Sequence, residues 1–402
     1  MNKNMTDDVR GRSLEAALAG LDWMVRTQCD DQTDANRGRF PESYQCRESR
    51  INTYTTNWTN GVAVDALLAG YLHTQCAQYL DAAKLAVDYI KSLQFISHRQ
   101  DPRTNGVFRE ETPQAPCAHP RDALTAAWAL LDYGCVTGDD DATERSLLYA
   151  DWFIRVALEK GYPYWTMRFD DQPWDPPYCG SFHSGGAFYF HRLYQVKGDK
   201  RYLDAMCTIL DYYNTYHLDD SGKITVIVDR DTHDHLDGKV DQSLTWQMMH
   251  RYNDDFGALA NLAAWKDLGD QKYLQAAERF CRHMINSQRA DGGFGPEEFS
   301  VPSAGGTVLM ELSAARAVGC DWADPDAIDK AAEYLHSIQW RAPGKSGDGA
   351  FIGFSNSYAA KHATATMRTT GYAVLALLRY AGKVDDFYFF GPANTAGQAG
   401  NK

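Results

Sequence analysis

Two kinds of apolar pattern alternate along the chain. Residues 78–94 place Leu80, Ala83, Val87, Ile90 and Leu93 at helical spacing, with Asp81, Lys84 and Lys91 off that face. This predicts an amphipathic helix. The same pattern covers 12–28, 142–159, 200–217, 271–288 and 325–339. Between these lie 57–72, 121–134, 183–196, 253–267, 303–318 and 364–381, rich in Ala, Gly, Leu and aromatics. A helix apolar all round is buried on all sides. Alternation of the two kinds predicts buried helices covered by amphipathic ones, paired into about six hairpins.

The turns agree. Gly138-Asp139, Gly198-Asp199 and Gly269-Asp270 each stand between a buried and an amphipathic segment. Glycine supplies a left-handed C-cap and aspartate can cap the next helix. Tyr-Leu recurs just inside the amphipathic segments, at Tyr79-Leu80, Tyr202-Leu203 and Tyr273-Leu274. Four of these segments end in glutamine: Gln28, Gln94, Gln288 and Gln339. Repetition of one unit along a chain is the mark of a repeat architecture. The expected fold is all-α, an (α/α)6 barrel or toroid, with small β-hairpin insertions in loops. Lys223 to Val228 reads as one such strand. A seventh hairpin could hide in 29–53 or 218–243. Residues 12–382 are expected to form a single catalytic domain, after a disordered stretch 1–11 and before a tail 383–402.

The connections are unequal. Those leading into the buried helices are long: 29–53, 95–116, 160–179, 218–243, 289–300 and 340–360. Long loops in a compact domain are usually functional. All six should gather where the buried helices begin, an end at which helix N-termini favour anions.

Composition narrows the partner. The net charge is −13 and there is no Lys/Arg run, which argues against nucleic acid or an anionic membrane. Aromatics reach 12% of the chain, a usage that suits stacking on sugar rings. Nine scattered cysteines read as reduced thiols. Met1 to Arg12 shows no apolar leader. A cytoplasmic protein acting on an acidic oligo- or polysaccharide is expected, without metal or other cofactor.

Candidate chemistry clusters where the buried helices open. The first opens with Asn52, Tyr54, Asn57 and Trp58, and the second with His119, Arg121 and Asp122. The third opens with Tyr178, Cys179 and His183, and the sixth with His362, Arg368 and Tyr372. The fourth carries Trp246 and the run His250-Arg251-Tyr252-Asn253-Asp254-Asp255. That run could be an Arg251–Asp255 ion pair with an N-cap by Asn253 or Asp254, or it could be catalytic. Two chemistries fit. β-Elimination at a uronic acid needs a cation at the carboxylate, a base at C5–H and an acid at the leaving oxygen. His250, Tyr252, Arg251 and His183 are candidates for the chemistry. Asn57, Trp58, Tyr54, Arg121, Asn253, Trp246, His362, Arg368 and Tyr372 are candidates for binding substrate. Glycoside hydrolysis needs two carboxyls, here Asp254 and Asp255. The acidic stretch Asp229 to Gly238 lacks the spacing of a calcium loop.

Ala277 to Phe294, ending Gln288-Arg289-Ala290-Asp291-Gly292-Gly293-Phe294, resembles the QW repeats of terpene and squalene cyclases, where the glutamine ties a helix end to the next turn. No Asp-x-Asp-Asp acid accompanies it, so this likeness speaks to architecture. Across almost its whole length the repeat pattern resembles the (α/α)-toroid carbohydrate-active enzymes: alginate and glucuronan lyases, unsaturated glucuronyl hydrolases, endo-α-mannanases and the N-acylglucosamine 2-epimerase group. The resemblance implies a carbohydrate substrate. The leading expectation is a polysaccharide lyase on a glucuronan- or alginate-like chain, and the alternative is a glycoside hydrolase using Asp254 and Asp255.

Overall fold

Apolar and amphipathic helices alternate in the computed structural model as the sequence pattern requires. It describes residues 3–96, 103–169, 177–240, 244–296, 301–353 and 361–382. The amphipathic helices are α1 (Lys3–Thr27), α3 (Ala77–Leu93), α5 (Asp140–Trp152), α7 (Lys200–Tyr212), α10 (Gln271–Ser287) and α12 (Pro325–Ile338). The apolar ones are α2 (Asn57–Thr74), α4 (Pro120–Thr137), α6 (Gly186–Lys197), α9 (Gly257–Leu268), α11 (Pro302–Ala317) and α13 (Met367–Tyr380). Helix α8 (Leu244–Tyr252) is additional and occupies the end of the connection before α9. Helix α1 starts at Lys3, so residues 3–11 extend the first helix instead of forming an unstructured lead. The expected tail 383–402 lies outside the described residues.

Each Gly-Asp pair does two jobs. Gly138, Gly198 and Gly269 have φ of 77°, 70° and 72°, the left-handed region that glycine enters without Cβ strain. Each donates its N–H four residues back, to Gly134, Tyr194 and Trp265. The aspartates then accept from the next helix: Asp139 from Ala142 N, Asp199 from Arg201 N and Asp270 from Lys272 N.

The four terminal glutamines share one bonding pattern. Gln28 Nε2 donates to Gly38 O and to Ala82 O, each at 3.0 Å. Gln94 reaches Gly106 O and Arg145 O. Gln288 reaches Gly292 O and Ala327 O. Gln339 reaches Gly349 O and Ala16 O. Each amide thus ties the end of one amphipathic helix to the turn that follows and to the next amphipathic helix. Gln339 bonds the last of these helices back to the first. Helices α5 and α7 lack such a glutamine and continue as π-type turns at Phe153–Ala157 and Tyr213–His217.

The chain divides into two compact units. One contains Met1–Thr55, Val62–Ala86 and the described part of Cys281–Gly391. In it α11 packs on α13, α13 on α1, and α12 on both α11 and α1. Its sheet has strand order β2-β1-β7, from β1 (Pro41–Gln45), β2 (Arg50–Tyr54) and β7 (Thr364–Thr366), all antiparallel. The hairpin β1–β2 fills the connection at 29–53.

The other unit contains Thr56–Gly61 and Val87–Phe280. Here α4 packs on α5 and α6, and α6 on α7 and α9. Trp128, Trp152, Tyr149, Tyr189 and Phe153 are fully buried between them. Burying an aromatic or leucine side chain contributes roughly 1.5–3 kcal/mol. Two short antiparallel pairs lie at the openings of α4 and α6: β3 (Cys117–Ala118) with β4 (Met167–Arg168), and β5 (Tyr178–Gly180) with β6 (Ile227–Asp229). The strand expected at 223–228 pairs at its end with the chain before α6 and is also joined to its own neighbours by the antiparallel bridges Leu218–Ile224 and Val228–His235. Among the described residues no helix is long and apolar enough to cross a membrane.

Candidate functional site

In the second unit, polar groups from the openings of α2, α4 and α6 meet the junction between α8 and α9. The centre is Arg121, in the first turn of α4. Its guanidinium pairs with Asp255 Oδ2, lies over the Trp58 ring and donates to Phe182 O at 3.4 Å. A second edge faces Asp122 Oδ1, also at 3.4 Å. His250 Nδ1 is 3.2 Å from the same Asp255 oxygen. Asn253 Nδ2 donates to Asp255 Oδ1 at 3.2 Å. Asp255 is fully buried, and a buried carboxylate survives only with such partners.

The backbone around Asp255 is unusual. The sequence pattern places 250–255 in the first turns of one helix. The chain instead ends α8 at Tyr252 and starts α9 at Gly257. Between them Asp255 and Phe256 have φ of 52° and 78°, a conformation that costs energy for residues with a side chain. His250 and Arg251 therefore lie at a helix C-terminus, where carbonyl ends favour positive groups. Gly185 makes the arrangement fit. A Cβ there would stand 1.5 Å from Asp255 O. Ser184 Oγ donates to Asp254 O at 2.8 Å and fastens the same segment.

Aromatic rings border the cluster. Trp246 lies with its ring centre 4.6 Å from His250, 5.4 Å from Phe182 and 5.5 Å from Trp165. Trp165 in turn meets Tyr178 edge-on at 4.9 Å. Trp246 and Tyr178 are half-buried, which leaves ring surface for a ligand. His183 is buried against Tyr162 and Phe182, and its Nε2 has no hydrogen-bond partner. Burial, reinforced by Arg121, His217, Arg230 and His119, holds His183 well below the ordinary imidazole range. It is neutral at pH 7.

A second group adjoins Arg121 through Asp122. Glu110 comes from the loop before β3. Its N–H donates to Cys117 O, and its Oε2 accepts from His119 N at 3.1 Å. One atom each of Glu110, His119 and Asp122 lie within 4.8 Å of one another. These three are the residues that could hold a cation among those described. Glu110 is buried, while His119 and Asp122 are half-buried. Burial, then the Asp122 carboxylate, pushes the Glu110 carboxyl well above its ordinary range. Asn57 Nδ2 donates to Arg109 O at 2.7 Å and so supports this loop from α2.

The expected residues fare differently. Asn57, Trp58, Arg121, His183, Trp246, His250 and Asn253 all fall in or beside the cluster. Arg251 does not pair with Asp255; its guanidinium reaches Asp237 Oδ2 at 3.2 Å and is partly exposed. Tyr252 is half-buried at the end of α8. Asp254 is fully buried and its Oδ2 accepts from Ala258 N at 2.7 Å, which makes it a cap for α9. The Asp254/Asp255 pair expected as catalytic carboxyls thus lies at this junction, with Asp255 bonded to Arg121, His250 and Asn253. Tyr54, His362, Arg368 and Tyr372 belong to the first unit. There Arg39 lies over the Tyr54 ring, His362 Nδ1 meets Glu48 Oε1 at 2.7 Å, and Arg368 is half-buried. Tyr372 is fully buried in α13, with the backbone of Gly306 against its own; that side chain has no surface to offer a substrate. Glu110 was missed because it sits in a loop with no periodic pattern. The acidic pair Glu110-Glu111 was the available signal.

No protein-family profile matches the chain, and no curated protein matches it. Solved structures do. An unsaturated glucuronyl hydrolase specific for heparin superposes with a TM-score of 0.67 at 17% identity, covering 94% of this chain and 98% of that one. The cellobiose 2-epimerase of Spirochaeta thermophila gives 0.70 at 13% identity over 94% and 98%. An α-1,6-mannanase of Salegentibacter gives 0.62 at 15% identity over 92% and 99%. At these identities the likeness is one of fold: the chain has the (α/α)6-barrel architecture found among (α/α)-toroid carbohydrate-active enzymes.

Proposed function

We propose that this protein is a glycoside hydrolase acting on an oligosaccharide that carries a carboxylate, with Asp122 and Glu110 as its proton-transferring pair. The observation that carries this reading is the pair itself: a half-exposed carboxyl at the opening of α4, backed by a buried one. Hydrolysis needs a proton given to the leaving oxygen and another taken from water. Two carboxyls that share a proton can do both in turn. Atoms within 4.8 Å of each other are too close to flank a glycosidic bond, where the groups stand roughly 5–9.5 Å apart. They therefore act as one unit, which gives its proton to the leaving oxygen as the C1–O bond breaks and takes one back from the water whose oxygen then bonds to C1.

The half-buried rings of Trp246 and Tyr178 supply a stacking surface beside the pair. Arg230, whose positive charge reaches the buried His183, favours an anionic sugar. Two of the similar structures are hydrolases by name. A lyase is the weaker reading, because the base and cation it would recruit, His250 and Arg251, are turned to Asp255 and Asp237.

The test is a panel of uronate-bearing and neutral oligosaccharides, followed both for new reducing ends and for the ultraviolet absorbance of a C4–C5 double bond. Reducing ends without the new absorbance support hydrolysis. Absorbance rising with cleavage sinks it in favour of elimination. Cleavage of neutral sugars alone removes the acidic substrate.

A further inference from the structure

The same loop that brings Glu110 to Asp122 also brings an imidazole. Among the described residues, Glu110, His119 and Asp122 are the one set of His, Cys, Asp or Glu groups with three ligand atoms mutually within 4.8 Å. The set is built by the backbone, through Glu110 N to Cys117 O and His119 N to Glu110 Oε2. A separate observation points to a ligand. Glu110 Oε1 is buried, in a residue only 6% exposed, and accepts from no protein donor; what it faces is the Asp122 carboxyl. Two carboxyl groups this close cannot both ionise without a proton or a cation between them. A cation can take the place of that proton. The half-burial of His119 and Asp122 leaves a way in.

The acidic stretch at 229–237 offers a contrast. Asp229 accepts from Asp231 N and Thr232 N, and Asp237 accepts from Val226 N and Ile227 N. Those carboxylates are spent on turns.

We propose that Glu110, His119 and Asp122 bind a divalent transition cation of the zinc class, and that its binding switches hydrolysis off. The regulatory half rests on the proposed role of Glu110 and Asp122. One imidazole and two carboxylates with an open position suit zinc. The imidazole disfavours calcium and magnesium, which take oxygen ligands. Ligands stand about 2.0–2.2 Å from zinc, so the three side chains close on the ion by small rotations. Arg121, 3.4 Å from Asp122, and the N-terminus of α4 oppose a cation. The site is therefore one that fills and empties, and not a permanent structural centre. A bound ion occupies the oxygens that would carry the proton.

The experiment is calorimetric titration of the chelator-treated full chain with zinc chloride, without sugar. Wild type should bind one zinc. His119→Ala and Glu110→Gln should each weaken binding at least tenfold, and thermal stabilisation by zinc should fall in parallel. His119 accepts no role in capping α4 through its side chain, and Glu110→Gln keeps the acceptor for His119 N, so both variants should fold. Zinc binding that is absent, or unchanged in both variants, overturns the site. Magnesium binding as tightly as zinc overturns the assigned class. A protein that binds zinc at this site yet hydrolyses a sugar equally fast with zinc bound overturns the switch alone. A protein that binds zinc but cleaves no glycoside leaves the site standing and removes the hydrolase reading.

Discussion

Arg121 and Asp255, from the first turn of α4 and the junction before α9, form a buried ion pair with side chains only 4% and 0% exposed. The pair sets the candidate site. It spends the Arg121 charge on one side, holds the His250 ring on the other, and leaves the second edge of the guanidinium toward Asp122. Breaking such a pair from one side leaves an uncompensated buried charge, at a cost of about 3–5 kcal/mol. Asp255→Asn should therefore lower the unfolding free energy obtained from urea titration by that order. Replacing Arg121 by methionine together with Asp255→Asn should cost less than the single change. An Asp255→Asn protein as stable as wild type would mean that the charges are not buried together.

Gly185 is the second structural lever. Its missing Cβ makes room for Asp255 O. Gly185→Ala forces backbone apart at the strained left-handed residues, and overpacking of this kind typically costs about 1–3 kcal/mol or more. The loss should be accompanied by changed tryptophan fluorescence, since Trp246 and Trp165 border the segment. Gly138→Ala is the comparison. It meets no atom within 4 Å and should show only the left-handed strain, about 1–2 kcal/mol. Equal effects from the two variants would contradict the close approach.

Stability should fall with pH before the carboxylates titrate. His217 is buried, its Nδ1 donates to Thr225 O, and burial holds its pKa down at about 4 against an ordinary 6.5. His183 and His191 are shifted the same way, each mainly by burial. A lowered histidine stabilises the fold fully above pH 6.5. That contribution is lost as pH falls from 6.5 towards 4, because the unfolded chain binds the proton first. Urea midpoints at pH 7 and pH 5 should therefore differ. His217→Gln, which keeps a donor for Thr225 O, should show a smaller drop. An unchanged drop would assign the dependence elsewhere.

Much of the fold was legible because its signals are local. The Gly-Asp turns need only two residues each. The terminal glutamines are readable because one side chain does the same double task four times, at Gln28, Gln94, Gln288 and Gln339. The site was less legible. Periodicity runs through 250–255 without a break, and nothing in it announces that Asp255 turns left-handed and reaches back to Arg121. The choice of partner for Arg251 is also long-range; Asp237 lies in a loop and not on the helix. Glu110 enters through a turn closed on Cys117, and loop geometry of that kind leaves no repeating pattern. Polar groups from the openings of the apolar helices do meet in the second unit, but which of them face a ligand depends on contacts between distant segments.

The central claim is that Asp122 and Glu110, and not Asp254, handle the proton. It is tested most directly by the steady-state rate of reducing-end release from the best oligosaccharide of the panel, for wild type, Asp122→Asn, Glu110→Gln and Asp254→Asn, each normalised to folded protein by circular dichroism. General acid–base groups contribute about 10²–10⁴-fold. The account predicts a loss of that size for Asp122→Asn and Glu110→Gln. It predicts that Asp254→Asn, a cap on α9, lowers the thermal midpoint with a far smaller effect on the rate of the folded enzyme. Full activity in Asp122→Asn, or a hundredfold loss confined to Asp254→Asn, would contradict it.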